Sequence, residues 1–139
     1  MISRVLVPMD DSEMAERALR FAFEAYPEAD VTVLHVVGKP SGFLGEAIGI
    51  ALSEDVESVA EDYAEAIFER SRAIADGYDA SVETAVAMGH PAQAIVERAA
   101  EFDTVVIGSH SGNFADRMFV GDVAKRVFRR SPVPVTAVR

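Results

Sequence analysis

A chain of 139 residues, half of them hydrophobic, is long enough to bury a real core and fits one compact domain spanning 1–139. It has no cysteine and no tryptophan, which excludes a disulfide framework and thiolate chemistry, and its formal net charge of -10 argues against a nucleic-acid or anionic-membrane partner. The start, MISRVLVP, runs straight into a strand-like pattern without a leader signature, and no apolar segment is long enough to span a bilayer, so the expected location is the cytoplasm.

Taken in order, Ile2 to Pro8 is a short Val-rich run that predicts a strand buried on both faces. Asp11 or Ser12 can cap the helix that follows, in which Met14, Ala18, Leu19, Phe21 and Ala22 recur at helical spacing. Pro27 disfavours its continuation past Tyr26. Ala29 to Val37 reads as a second buried strand, broken by Gly38-Lys39-Pro40-Ser41-Gly42.

Phe43 to Leu52 is apolar with glycines at Gly45 and Gly49, and fits either a mobile flap or a helix start. The preferred reading is a loop passing into a long helix that Ser53 begins. That helix runs through Val59, Tyr63, Ile67 and Ile74 to about Asp76, with an acidic outer face and a stop at Gly77. Ala80 to Met88 predicts a third strand, and Pro91 suits the first position of the next helix, whose buried side is Ala92, Ile95, Val96 and Ala99. Thr104 to Ile107 is strand four, a helix runs from about Phe119 to Arg130, and Val133 to Val138 is strand five.

Strands alternating with helices make an open, five-stranded parallel sheet with helices on both faces. The segment after strand four draws attention. An apolar run enters Gly108, and a small-polar loop then carries the chain to Gly121 and a helix start. Glycines let backbone approach a phosphate closely, and the first amides of a helix point at it without partners of their own.

The residues GSHSGNFADRMFVGDVAKRVFRRSPVPVTAVR resemble the C-terminal signature of the universal stress protein family. Its nucleotide-binding branch carries Gly, two residues, Gly, nine residues, Gly, then Ser or Thr. Gly108 and Gly121 hold the first and third glycine positions, whereas Ser111 and Asp122 replace the second glycine and the hydroxyl. VLVPMDDSEMAERAL, LHVV and GHPAQAIVERAAEFDTVVIGS resemble further family segments in the right order over essentially the whole chain.

The resemblance implies strand order 3-2-1-4-5, a Rossmann-like fold of the adenine nucleotide alpha hydrolase type, and a ligand crevice between strands one and four, where that order reverses. By the same resemblance, Pro8, Met9 and Asp10 line an adenosine pocket and Val36 meets the base. Ile107 and Gly108 contact the sugar, and Ser111, Gly121, Asp122 and Val123 contact phosphates. Asp10 fits equally well as a helix cap, and Val36 as an ordinary core residue. The family also implies a homodimer built on Val133 to Val138, an edge strand with apolar side chains.

Asp122 decides the ligand expectation. Two unit charges about 4 Å apart repel by roughly 1 kcal/mol in water and up to about 4 kcal/mol at an effective dielectric near 20. The carboxylate also replaces a hydroxyl donor and can cap the helix itself. ATP is then bound weakly or not at all, unless a divalent cation such as magnesium bridges Asp122 and the phosphates. The expected function is a homodimeric binding and regulatory module of stress response with an altered nucleotide crevice and a possible protein partner. The alternative is a metal-assisted ATP binder with slow ATPase activity, for which Asp10 is the only carboxylate to try.

His35, His90 and His110 show no zinc-ligand spacing, although His110 lies where it could touch a ligand and His35 suits a hydrogen-bonded core position. Ser109 and Ser111 have no evident base, so no nucleophilic triad is expected. Helix-dipole stabilisation accounts for the later cations of Lys125 to Arg130, while Arg117 is a candidate phosphate contact. A phosphoacceptor receiver domain is rejected: strand three ends Ala85-Val86-Ala87-Met88 without an Asp, and the only Lys-Pro is Lys39-Pro40.

Overall fold

The computed structural model describes residues 1–38, 42–110 and 121–139, with side chains of the longest helix described from residue 59 on. Strands β1 (Arg4–Pro8), β2 (Asp30–Val37), β3 (Val82–Met88), β4 (Thr104–Gly108) and β5 (Val135–Val138) alternate with helices α1 (Glu13–Ala25), α2 (Gly42–Asp76), α3 (Pro91–Ala99) and α4 (Asp122–Arg130). The sheet is parallel in the order β3-β2-β1-β4-β5.

Period-two alternation divides the strand residues between two apolar layers. Val5, Val7, Val31, Val33 and Val106 pack with α1 and α2 residues such as Leu19, Phe23, Ile67 and Phe68. Leu6, Leu34, Val105 and Ile107 turn to the other face and meet Ile95 and Ala99 of α3 and Ala124 and Val127 of α4. Central strands buried on both sides explain why β1 and β4 read as nearly continuous apolar runs.

Local chemistry sets the helix ends. Of the two residues able to cap α1, Ser12 does so, its hydroxyl oxygen accepting from the Ala15 amide at 3.2 Å. Helix α2 starts at Gly42 and not at Ser53, so the expected loop over Phe43 to Leu52 is helical. Two glycines cost about 1 kcal/mol each against alanine, a penalty that Leu44, Glu46, Ala47, Ala51 and Leu52 can offset within one long cooperative helix. Strand β5 begins at Val135, not Val133, because the Ser131 hydroxyl donates to the Val133 carbonyl and accepts from its amide, holding a turn there. The expected start of α4 near Phe119 lies outside the described residues, and α4 is described from Asp122.

At the amino end of the sheet, Asp103 Oδ2 accepts hydrogen bonds from the Ser3 amide, the Ser3 hydroxyl and the Arg4 amide, each at 2.9 Å. This fastens the approach to β4 onto the start of β1. It thereby fixes where the carboxyl ends of the two central strands emerge.

Candidate functional site

At those carboxyl ends β1 and β4 are neighbours, while the chain leaves them for opposite sides of the sheet order. A cleft of about 580 Å³ opens there, within the range that holds small ligands. Pro8, Met9, Asp10, Val36, Ile107, Gly108, Gly121, Asp122 and Val123, all expected contacts, line this one cleft. Ser111 and Arg117, expected beside them, lie outside the described residues.

Each wall has a mechanical reason. The Met9 amide donates to Leu34 O at 2.8 Å, and the Met9 carbonyl accepts from His35 Nδ1 at 2.9 Å. A carbonyl can only accept, so that contact places the proton on Nδ1 of the buried His35. The ring also meets Tyr63 edge-on with centroids 5.5 Å apart. Asp10 Oδ1 accepts the Ser12 amide at 2.9 Å, so its carboxylate is held in a turn ahead of the capped helix. It is not the helix cap, and it faces the cleft.

Gly108 ends β4 under α1. A Cβ there would stand 2.9 Å from the Met14 carbonyl carbon and 3.0 Å from Met14 Cβ, so only glycine permits this helix to lie so close. Ser109 then pairs with β5 through its amide to Val138 O at 2.7 Å, and its carbonyl accepts the Gly121 amide at 2.6 Å. The second bond brings the start of α4 back to the end of β4.

Gly121 is the N-cap of α4, without a side-chain cap, which leaves the first amides of the helix directed at the cleft. Asp122 is the first helical residue and is exposed. The expectation that it caps the helix is therefore corrected: a residue at that position is already past the cap, and its side chain makes no such hydrogen bond.

Several cleft residues were not among the expected contacts, Pro91, Ile95 and Lys125 among them. Lys125 lies in the N-terminal half of α4, three residues from Asp122. That spacing was the available signal, since residues three apart share a helix face. The cleft thus presents a cation near the disputed carboxylate. His110, buried and cleft-lining, has Nδ1 3.1 Å from Ser109 Oγ. Ser109 therefore does meet an imidazole, contrary to expectation, but it is buried and absent from the cleft wall.

Beside Asp10 a smaller cavity of about 140 Å³ lies between α1 and α2, lined by Asp11, Glu16, Tyr63 and Arg70 among others. Burial, and then a hydrogen bond with Asp11, holds the Tyr63 hydroxyl above the usual phenol range. Arg70 Nε reaches Glu16 Oε1 at 2.6 Å. Among the described residues no three His, Asp or Glu side chains gather as a metal site, and no helix is long and apolar enough to cross a membrane.

The site's donor set fits an adenine nucleotide in part. Leu34, Val36, Ile95 and Ile107 give an apolar wall for a base, and the amides of α4 with Lys125 give donors for a phosphate.

The fold is shared with known proteins. The model of the family described as "Universal stress protein family" matches residues 1–139. Universal stress protein MJ0577 of Methanocaldococcus jannaschii is 26% identical over 155 aligned residues, covering 100% of this chain and 96% of that protein. Among solved structures, universal stress protein UspA from Lactobacillus plantarum superposes with a TM-score of 0.81 at 27% identity, covering 99% of this chain and 98% of that one. The universal stress protein from Archaeoglobus fulgidus in complex with dAMP gives a TM-score of 0.69 at 25% identity, covering 100% and 98%.

Proposed function

The chain belongs to the universal stress protein family, and from that premise we propose that it is a binding and regulatory module whose cleft takes an adenine nucleotide with a short phosphate and disfavours ATP. The observation that carries this reading is Asp122, exposed at the first position of α4 and lining the same cleft as Lys125. One phosphate can rest on the helix amides and Lys125, whereas each further phosphate adds charge near a carboxylate. The dAMP complex of the relative from Archaeoglobus fulgidus supports the choice of ligand class.

Calorimetric titration with AMP, dAMP and ATP, with and without magnesium, tests the reading. The monophosphates should bind at least about tenfold more tightly than metal-free ATP, a gap of about 1.4 kcal/mol. Tight ATP binding in the absence of metal would overturn it.

A second reading has an observation of its own: Asp10 and Asp122 line one cleft, so a divalent cation held with ATP could reverse the local repulsion. In that case magnesium or manganese restores ATP affinity, and slow phosphate release disappears in Asp10→Ala. Release that persists in the variant removes Asp10 from the role.

The module is further proposed to be a homodimer through β5. That strand closes one edge of the sheet, and its side chains are only partly covered within the chain. Sedimentation at micromolar concentration should give twice the mass of one chain.

A further inference from the structure

Strand β1 ends at Pro8, whose partner in the sheet is Leu34 of β2, so Met9, Asp10 and Asp11, which follow, are held by other means. Met9 and Asp10 line both the large cleft and the smaller cavity, and Asp11 lines the smaller. Two residues grip this tripeptide, one at each end. His35 Nδ1 donates to the Met9 carbonyl at 2.9 Å, while the Tyr63 hydroxyl meets Asp11. The two rings stand edge-on with centroids 5.5 Å apart, so each steadies the other.

Asp10 lies between the two grips. Its Oδ1 accepts the Ser12 amide at 2.9 Å, and the residue lines the cleft together with Val36 and Ile107. A carboxylate accepts hydrogen bonds and donates none, so it suits the exocyclic amino group of adenine and not the carbonyl oxygen that hypoxanthine carries in the same place. Where the carboxylate stands decides that discrimination, and the peptide units on either side decide where it stands.

We propose that His35, braced by Tyr63, is a positioning residue that selects the base: by clamping the tripeptide from the α2 side, it aims Asp10 at the amino group of an adenine. The inference rests on the reading of the cleft as an adenine-nucleotide site. The imidazole is 6% exposed and its Nδ1 proton is committed to a carbonyl, so its effect on a ligand runs through the backbone. The phosphate end of the cleft, at the start of α4, belongs to another element and should not respond.

Calorimetric titration of the whole chain with AMP, IMP and ribose 5-phosphate tests this. The parent should bind AMP about tenfold more tightly than IMP. In His35→Leu, which keeps an apolar side chain against Tyr63 but offers Met9 no donor, that preference should vanish while ribose 5-phosphate binds as before. His35→Asn can place an amide N–H near the Nδ1 position and should restore the preference. Tyr63→Phe keeps the ring and loses only the hydroxyl of a residue that is 43% exposed, so it should fold even where His35→Leu does not. Its preference for AMP should fall about threefold. A parent without preference, a preference unchanged in Tyr63→Phe or in folded His35→Leu, or ribose 5-phosphate weakened as much as AMP would overturn the inference alone. A parent that binds AMP no more tightly than ribose 5-phosphate would overturn the reading of the cleft, and the inference with it.

Discussion

A Cβ placed on Gly108 would lie 2.9 Å from the backbone carbonyl carbon of Met14. The glycine at the end of β4 is thus required by the helix that crosses it, independently of any ligand. Backbone atoms cannot yield as a flexible side-chain tip can, so α1 would have to lift from the sheet.

Gly108→Ala is therefore expected to destabilise the fold by about 1–3 kcal/mol, as overpacking does. Urea unfolding of the unliganded protein measures this directly. Unchanged stability together with lost nucleotide binding would mean that the glycine serves the ligand alone.

Asp122→Ser restores the hydroxyl of the family signature and removes one negative charge from the cleft. Metal-free ATP affinity should rise about tenfold or more, and AMP affinity by less, because repulsion grows with the number of phosphate charges. Asp122→Asn should recover most of the gain if charge is the cause. Titration of both variants separates the charge from the missing hydroxyl.

Asp103 carries a pH signature. The amides of Ser3 and Arg4, then the Ser3 hydroxyl, hold its carboxyl below the usual range. The folded state therefore binds that proton less readily than the unfolded chain. Its contribution is whole above about pH 4, the unfolded value, and is lost as pH falls through the lower folded value. The stability difference between the parent and Asp103→Asn should shrink as pH is lowered through that window. A difference independent of pH would show that the carboxylate is not held in this way.

Ser12→Ala removes the cap of α1 and should cost about 1 kcal/mol, while Ser12→Gly should cost only a few tenths. Because Asp10 is oriented by the Ser12 amide and not by its hydroxyl, nucleotide affinity should change little in the folded variant. Chemical denaturation alongside titration distinguishes the two effects.

The alternation of strand and helix and the parallel sheet were legible in the sequence, because periods of two and 3.6 are written in neighbouring residues, although Phe21, grouped by helical spacing with the apolar residues of α1, is exposed. The resemblance to family segments implied that Pro8, Met9, Asp10, Ile107, Gly108 and Gly121 meet at one crevice, and all six line the cleft at the carboxyl ends of the strands. The start of α2 was hidden by Gly45 and Gly49, whose local cost is outweighed along a helix of 35 residues. Only packing between distant segments decided the rest. It pressed Met14 onto Gly108, brought the start of α4 with Lys125 back to the end of β4 and left Phe128 uncovered. Contacts between residues far apart in the chain depend on how helices settle on the sheet, and no local pattern encodes that distance.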